Sequence, residues 1–297
     1  MTTHNVALYA DVATRVRRQL DDSVANSNPF YPTLTTTVPT NTDRESFDWL
    51  GAYPNMREWL GDRKFHQLSS IEFEITVKDW ENGIQLPKKH IDDGRTGYFN
   101  NIVQGLANEA SYHPDELLIE TMENAQQIRC FDGAFFFDTN HALFDSGVQS
   151  NLLTVTVADP ANPTEDEIRD IVELALETFR GFKRDNGKPY MRPTLQMIND
   201  LLCVYPHTMD NTFKRAYQPA TILKTNTAGT AGAAVPNFNI VVPSMLPLTE
   251  RTGNYIDVYR TGNDGLFTPY VFVDRQPVGW DTKGADDREY KDIKWFG

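Results

Sequence analysis

Residues 70–91 of this 297-residue chain read SIEFEITVKDWENGIQLPKKHI. In the first half, four apolar residues alternate with four polar ones: Ile71, Phe73, Ile75 and Val77 against Glu72, Glu74, Thr76 and Lys78. Strict alternation of this kind is typical of a half-buried β-strand. Asn82-Gly83 is typical of a two-residue hairpin turn, and Ile84 and Leu86 then resume the alternation. The stretch therefore predicts an extended β-hairpin.

Such a hairpin needs a surface to lie on. Nine residues at about 3.3 Å each give an arm of roughly 30 Å, and an isolated two-stranded hairpin is marginally stable in water. Its apolar face and Trp80 near the tip offer a large adhesive area. The hairpin either packs on its own domain or on another copy of the chain, and we favour the second because a polar, extended segment also precedes it.

Composition and charge limit the classes of protein to consider. Apolar residues make up 40% of the chain, with 17 Phe, 12 Tyr and 5 Trp, which allows a sizeable core. The length suits two domains or one large one. A formal net charge of −13 argues against a protein that reads nucleic acid, because backbone binding requires clustered Lys and Arg.

Cysteine usage and apolar runs bear on the compartment. Cys130 and Cys203 are the only cysteines. Their spacing predicts buried, reduced thiols, with one disulfide bond as the alternative. The N-terminus lacks the pattern of a signal peptide, and no apolar run approaches about 18 residues. We expect a soluble protein that is not exported.

The rest of the chain predicts an α+β fold. Residues 6–20 fit one helix, whereas residues 23–42 are so rich in Ser, Thr, Asn and Pro that we expect an arm or linker. Residues 96–129 fit a long helix that is kinked or divided at Pro114. Thr164-Glu-Asp-Glu167 is a capping box before a strongly amphipathic helix. Residues 208–217 predict another helix. Six short strands are also predicted, at residues 135–137, 152–157, 201–205, 238–242, 255–260 and 270–273.

A catalytic site has only one candidate in the sequence. Asp132, Asp138 and His141 could form an acid/base or metal site, but Asp and Asn near a turn more often bond their own backbone. The chain contains neither a phosphate-binding loop nor a GxSxG motif, and no HExxH pattern. We therefore expect no cofactor and no bound metal.

Five motifs occur along the chain in a fixed order: YPNMREWLGDR at 53–63, IDDG at 91–94, HPDEL at 113–117, CFDG at 130–133 and FFDTNH at 136–141. With the alternating stretch, they resemble the Mu-like phage major head subunit, the gpT family. The likeness is strong over residues 48–144 and continues more weakly at 192–194, 201–206 and 268–270.

The resemblance implies the Hong Kong 97-type capsid fold. This α+β fold has an N-terminal arm, an extended β-hairpin loop, a long spine helix, and peripheral and axial domains. The resemblance implies these domains at residues 1–62 for the arm, 63–95 for the hairpin loop, 96–150 for the spine helix and the start of the peripheral domain, 151–254 for the axial domain, and 255–297 for the return to the periphery.

The function implied is that of a non-enzymatic major capsid protein of a tailed bacteriophage. Copies self-assemble as hexamers and pentamers into the icosahedral head, which encloses double-stranded DNA without sequence-specific binding. The further partners implied are scaffold and portal proteins, with a decoration protein left open, and no membrane is involved. The protein is expected in the virion and, during assembly, in the host cytoplasm.

In such a shell the hairpin face lies on a neighbouring subunit. The predicted inter-subunit contacts are Ile71, Phe73, Ile75, Val77, Trp80, Lys88 and Lys89. Two other hypotheses stay open. One is a cytoplasmic enzyme with a site around Asp132, Asp138 and His141, and the other is a virion component that forms a smaller oligomeric ring.

Overall fold

The structure is a computed structural model that describes residues 3–50, 58, 70–87, 89, 93, 97, 99–142, 146–184, 187, 189, 201–217, 244–261, 268–276, 278–283 and 292–296. The chain divides into two compact units. The first unit comprises Met1–Glu45, Glu74–Glu120 and Val271–Gly297, and the second comprises Ser46–Phe73 and Thr121–Tyr270.

Four helices and twelve strands are found in the described residues. The helices are α1 (Thr3–Ala25), α2 (Phe99–Glu123), α3 (Glu165–Gly181) and α4 (Asp210–Tyr217). The strands are β1 (Thr35–Pro39), β2 (Arg44–Leu50), β3 (Ser70–Thr76), β4 (Gly83–Pro87), β5 (His141–Ala142), β6 (Val148–Gln149), β7 (Leu201–Pro206), β8 (Ser244–Leu248), β9 (Asp257–Arg260), β10 (Tyr270–Asp274), β11 (Asp281–Lys283) and β12 (Asp292–Phe296). None of these helices combines the length and the apolar character that crossing a membrane requires.

The first unit is built around the contact between α1 and α2. Val12, Val16 and Leu20 recur every four residues, so they share one face of α1. That face is buried in a cluster with residues of α2 and with Trp280. The helix predicted at residues 6–20 is confirmed, and it extends beyond both predicted ends.

The long helix predicted at residues 96–129 is confirmed over Phe99–Glu123 as α2, which ends before the predicted C-terminal boundary. Pro114 lies inside this helix and does not divide it. Proline removes one backbone hydrogen bond, but Leu106, Leu118 and Met122 are buried on either side of it and hold the helix together by packing. His113 is therefore an interior residue of α2, not the start of a second helix.

Residues 23–42, expected to be an arm or linker, are ordered by tertiary contacts that their composition did not indicate. Leu34 is fully buried, and β1 pairs with β10. The Asp115 carboxylate of α2 accepts hydrogen bonds from the backbone N–H groups of Phe30 and Tyr31, at 3.2 and 2.8 Å. Burial raises the pKa of this carboxyl above its usual range. Composition alone did not reveal these partners.

The predicted hairpin between β3 and β4 is also wrong, because the two strands belong to different sheets. β3 pairs with β2, whereas β4 lies at one edge of a three-stranded antiparallel sheet in the order β11-β12-β4. Asn82 accepts a hydrogen bond from the N–H of Gly83 at 2.8 Å, and Gly83 is the first residue of β4 instead of a turn residue. The register sets Ile84 opposite Trp295, and pairing with β12 therefore replaces the local turn.

The second unit is centred on β7, whose six residues are all buried. β7 pairs in parallel with β8 and antiparallel with β9. The strand predicted at residues 201–205 and the helix predicted at 208–217 are confirmed as β7 and α4. The Tyr205 and Phe213 rings stack at 3.8 Å between centroids.

The amphipathic helix predicted after the capping box is confirmed as α3. The Thr164 hydroxyl accepts from the N–H of Glu167, and the Glu167 carboxylate accepts from the N–H of Thr164 at 2.8 Å. Its apolar stripe buries Ile168 and Val172 against the β7 sheet and α4.

Two of the predicted short strands do not form. Phe135 makes only an isolated bridge with Arg129, and residues 152–157 join no ladder. The strand predicted at 238–242 lies outside the described residues. The strands predicted at 255–260 and 270–273 are confirmed as β9 and β10.

We expect Leu20→Ala to lower the free energy of unfolding by about 2–5 kcal/mol, because it leaves a cavity between α1 and α2. The measurement is urea-induced unfolding of the free subunit, followed by circular dichroism. Arg18→Ala changes an exposed position on the same helix and should shift stability by no more than about 0.5 kcal/mol. Equal shifts for the two variants would mean that the α1 face does not stabilise the unit.

Candidate functional site

The alternation that predicted a half-buried strand is present in the structure. Phe73, Ile75 and Val77 are half-buried, whereas Glu72, Glu74 and Thr76 between them are exposed. Ile71 belongs to β3, but its side chain lies outside the described part of the chain. The apolar face is thus partly covered in the single chain and leaves surface for a further contact.

Polar side chains of β3 form hydrogen bonds with side chains of β2. Arg44 donates to the Glu74 carboxylate at 2.9 Å, and the Ser46 hydroxyl donates to Glu72 at 2.8 Å. Moving two residues forward along β2, from Arg44 to Ser46, moves the contact two residues back along β3, from Glu74 to Glu72. The two strands therefore run antiparallel. The antiparallel pair is therefore β2 and β3, and their connection, residues 51–69, lies outside the described residues except for Glu58.

The remaining predicted contact residues are not all brought together. Trp80 is 56% exposed, and its ring meets the His113 imidazole edge-on with 4.7 Å between centroids. The tryptophan therefore rests against α2 instead of standing at a hairpin tip. Lys89 is exposed, and Lys88 lies outside the described residues.

The alternative site predicted from sequence is a real cluster. His141 Nδ1 lies 2.6 Å from Oδ2 of Asp132, whose side chain is almost fully buried. His141 Nε2 lies 3.2 Å from Oδ1 of Asn151. The Asn151 amide donates to the carbonyl of Phe136 at 2.6 Å, which fixes the amide orientation. Asn151 is the member of the cluster that sequence reasoning missed.

Asp138 binds the turn that carries His141. Its carboxylate accepts from the backbone N–H groups of Phe135, Thr139 and Asn140, at 3.3, 2.6 and 3.2 Å. These hydrogen bonds, the one from Phe135 foremost, hold the pKa of Asp138 below its usual range. The carboxylate is occupied by the backbone, as the turn interpretation predicted.

The polar groups of this cluster are bonded to other groups of the chain. Both ring nitrogens of His141 lie within hydrogen-bond distance of oxygen atoms of the chain, Oδ2 of Asp132 and Oδ1 of Asn151. Burial raises the pKa of the nearby Cys130 thiol to about 11, which disfavours a thiolate nucleophile. Among the described residues, no group of His, Cys, Asp and Glu could hold a metal ion. The cluster fixes a loop.

A buried ion pair in the second unit was not predicted from the sequence. Arg251 donates to Asp257 at 2.6 Å, and both side chains are less than a tenth exposed. The hydroxyl of Tyr259 donates to the same carboxylate at 3.0 Å and lies 2.9 Å from the Tyr270 hydroxyl. Burial raises the pKa of Asp257 even though Arg251 opposes that shift. Isolated charged residues are usually on the protein surface. The sequence around Arg251 and Asp257 therefore gave no reason to expect a buried pair.

One family model covers β3, α2 and the Asp132–His141 cluster. Residues 10–164 match the model of the Mu-like prophage major head subunit gpT. The chain belongs to this family. The matched residues include β3, helix α2 and the whole Asp132–His141 cluster with Asn151.

Two relatives carry the same kind of name. The chain is 30% identical over 124 residues to the Mu-like prophage FluMu major head subunit of Haemophilus influenzae, which covers 42% of this chain and 40% of that protein. It is 25% identical over 131 residues to the major capsid protein of Escherichia phage Mu, over 44% of this chain and 43% of that protein. The chain thus spans less than half the length of the curated relatives it matches.

Solved structures agree on the fold. The procapsid of bacteriophage JBD30 matches with a TM-score of 0.60 and 21% identity, covering 84% of this chain and 99% of that one. The capsid of the same phage matches with a TM-score of 0.56 and 21% identity, over 75% and 91%. The virus-like particle of Pyrococcus furiosus matches with a TM-score of 0.50 and 9% identity, over 95% and 90%. The chain has the fold of phage capsid subunits.

We expect Asp138→Asn to destabilise the subunit in a pH-dependent way. A carboxyl whose pKa is lowered in the folded state contributes stability above its unfolded pKa of about 3.9, and this contribution is lost as pH falls through the folded value. The difference in unfolding free energy between wild type and variant should therefore be constant above about pH 5 and shrink below it. Urea unfolding at a series of pH values measures this difference.

The control for this series is Asp170→Asn, which alters an exposed carboxylate of α3. Its difference from wild type should be small across the series. A pH-independent loss for Asp138→Asn would show that the three backbone hydrogen bonds do not depend on the charge of the carboxylate.

Proposed function

We propose that this chain is a major capsid protein, whose copies self-assemble into the icosahedral head of a tailed bacteriophage around its double-stranded DNA. The observation that carries the proposal is membership of the gpT family together with a capsid-subunit fold that covers 99% of a procapsid chain. The proposed assemblies are hexamers and pentamers, and the proposed location is the virion, with the host cytoplasm during assembly.

Elements of both units support the parts of a Hong Kong 97-type subunit. α2 is the proposed spine helix, and residues before β2 are the proposed N-terminal arm. We place the extended loop at the antiparallel pair β2–β3, residues 44–76, in preference to residues 63–95. Strand pairing supports this change, because β4 pairs with β12 and leaves β3 to β2. The β7 sheet with α3 and α4 is the proposed axial domain.

Charge supports the proposed relation to DNA. The chain has a formal net charge of −13, so a shell made of it repels the phosphate backbone instead of binding it. Scaffold and portal proteins are the further proposed partners. One similar solved structure is the capsid of bacteriophage JBD30 decorated with minor capsid protein trimers, and a decoration protein is therefore a further proposed partner.

The proposed interface includes the apolar face of β3. Phe73, Ile75 and Val77 are half-buried in the single chain, and a neighbouring subunit can cover what remains of them. Each such contact is weak, but closed symmetry repeats it at every equivalent position of a shell. Many weak contacts of this kind hold a thin shell without covalent bonds.

The alternative, an enzyme centred on Asp132, Asp138 and His141, is less well supported because His141 is bonded at both nitrogens. Electron microscopy of the purified protein separates the two. Shells, hexamers or pentamers support the capsid proposal. A compact monomer with a catalytic turnover that His141→Ala abolishes would replace it.

We expect Ile75→Asp to block assembly while the subunit stays folded. Burying an unpaired carboxylate costs several kcal/mol, and each 1.4 kcal/mol is about tenfold in an association constant. The yield of particles should therefore fall by at least about tenfold. Sedimentation velocity and electron microscopy measure the particles, and circular dichroism checks the fold.

Thr76→Asp is the matched control, since Thr76 is the exposed neighbour on the opposite face of the same strand. It adds the same charge and should assemble like wild type. Normal assembly of Ile75→Asp would remove the β3 face from the interface but would leave the capsid proposal standing.

A further inference from the structure

The dipeptide Asn-Gly occurs twice in the chain, at residues 82–83 and 186–187. Asparagine before glycine is open to attack by the glycine nitrogen on the side-chain amide, because glycine has no Cβ to hinder the approach. The sequence favoured a tight hairpin turn at Asn82-Gly83, and the pairing of β4 with β12 removes that turn. The surroundings of Asn82 in the fold therefore decide how reactive its amide is.

Asn82 lies in an accessible part of the first unit. It belongs to no helix or strand, and both Asn82 and the following Gly83 are exposed. Water, the co-reactant in the hydrolysis of an amide, therefore reaches the side chain and the peptide bond that follows it. An exposed position outside the regular elements also leaves the side chain free of packing that would oppose a change.

The Asn82 side chain is folded back over the next peptide. Its Oδ1 accepts a hydrogen bond from the N–H of Gly83 at 2.8 Å. A C=O bond is about 1.23 Å long, so Cγ of Asn82 lies no more than about 4 Å from the Gly83 nitrogen. A bond between these two atoms would close a five-membered ring through the Asn82 Cβ, Cα and carbonyl carbon. Groups held this close in one chain react at a high effective concentration.

The glycine nitrogen of the second Asn-Gly pair faces a different group. The N–H of Gly187 donates to the backbone carbonyl of Arg184 at 2.8 Å, and Gly187 has a φ of 74°. That nitrogen is bonded to the main chain, whereas the nitrogen of Gly83 is bonded to the very side chain that it would attack. The two pairs share a sequence and differ in geometry, so the fold predicts different reactivity for them.

We propose that Asn82 is a modification site, at which the side-chain amide is converted without an enzyme to an acid through a cyclic imide. The Gly83 nitrogen bonds to Cγ of Asn82, the Cγ–Nδ2 bond breaks, and Nδ2 leaves as ammonia with the proton of the Gly83 N–H. One water molecule then opens the imide. Opening at Cγ yields aspartate, and opening at the main-chain carbonyl carbon yields isoaspartate, in which Gly83 stays joined to Cγ.

The product changes the charge and the backbone at the start of β4. Either acid adds one negative charge to a chain whose formal net charge is −13. The isoaspartyl form also adds one carbon atom to the main chain directly before Gly83, which pairs with Phe296 at the end of the ladder between β4 and β12. This chemistry requires only the folded subunit and is independent of the proposed capsid role.

Mass spectrometry of the full folded chain, incubated in neutral buffer and then digested, tests the proposal. The peptide that contains Asn82 should gain the mass difference between an amide and an acid, and it should separate into aspartyl and isoaspartyl forms on chromatography. Conversion at Asn82 should be at least about tenfold faster than at Asn186, since a misplacement of about 1 Å can cost about a hundredfold in rate. In urea, where neither geometry survives, the two rates should be alike.

Three outcomes would overturn the proposal. An unchanged mass at Asn82 would show that the hydrogen bond from Gly83 does not lead to ring closure. Equal rates at Asn82 and Asn186 in the folded chain would show that the fold does not distinguish the two pairs. A difference in rate that persists in urea would show that the flanking residues set the reactivity and the folded geometry does not.

Asn82→Gln gives an independent test. Glutamine is one methylene longer, so attack by the Gly83 nitrogen needs a larger ring, and conversion at position 82 should fall at least about tenfold. The position is exposed, so the variant should fold like wild type, which circular dichroism checks. Asn186→Gln is the matched control and should leave the rate at Asn82 unchanged. Conversion of Asn82→Gln at the wild-type rate would contradict the proposal.

Discussion

Backbone pairing is the constraint on which this structure depends. The backbone N–H and C=O groups of a β-strand need hydrogen-bond partners, and another strand supplies them. Several strands of the described residues meet this requirement with a partner distant in sequence: β1 with β10, β4 with β12, and β7 with β8 and β9. The chain is thus folded back on itself by pairing.

The same constraint separates what sequence could and could not predict. Helices α1 and α3 were predictable because the spacing of Val12, Val16 and Leu20, and the capping box at Thr164, are local signals. The existence of β3 and β4 was also local, but their partners were not. Asn82-Gly83 favours a turn by itself, and only the register with β12, more than two hundred residues away, overrides that preference. Composition likewise misjudged residues 23–42, since their order comes from contacts with α2 and β10.

Some residues of the candidate site could be predicted from the sequence and others could not. Asp132, Asp138 and His141 were found from sequence because they lie within ten residues of one another, whereas Asn151 follows later without a motif. The Arg251–Asp257 pair had no signal at all, because burial is a property of the fold. In the structure both groups act on loops: one fixes the turn after α2, and the other fixes the approach to β9. Strongly bonded polar clusters of this kind specify a loop conformation more than they catalyse reactions.

The hydrogen bonds from Phe30 and Tyr31 to Asp115 limit which substitutions the N-terminal segment can accept. Its carboxylate holds Phe30 and Tyr31 through their main-chain N–H groups and not through their side chains. Most residue types offer the same N–H, so this contact by itself lets the side chains at those two positions drift. The contact requires the carboxylate of Asp115 in α2. It excludes proline at positions 30 and 31, because proline has no backbone N–H to donate.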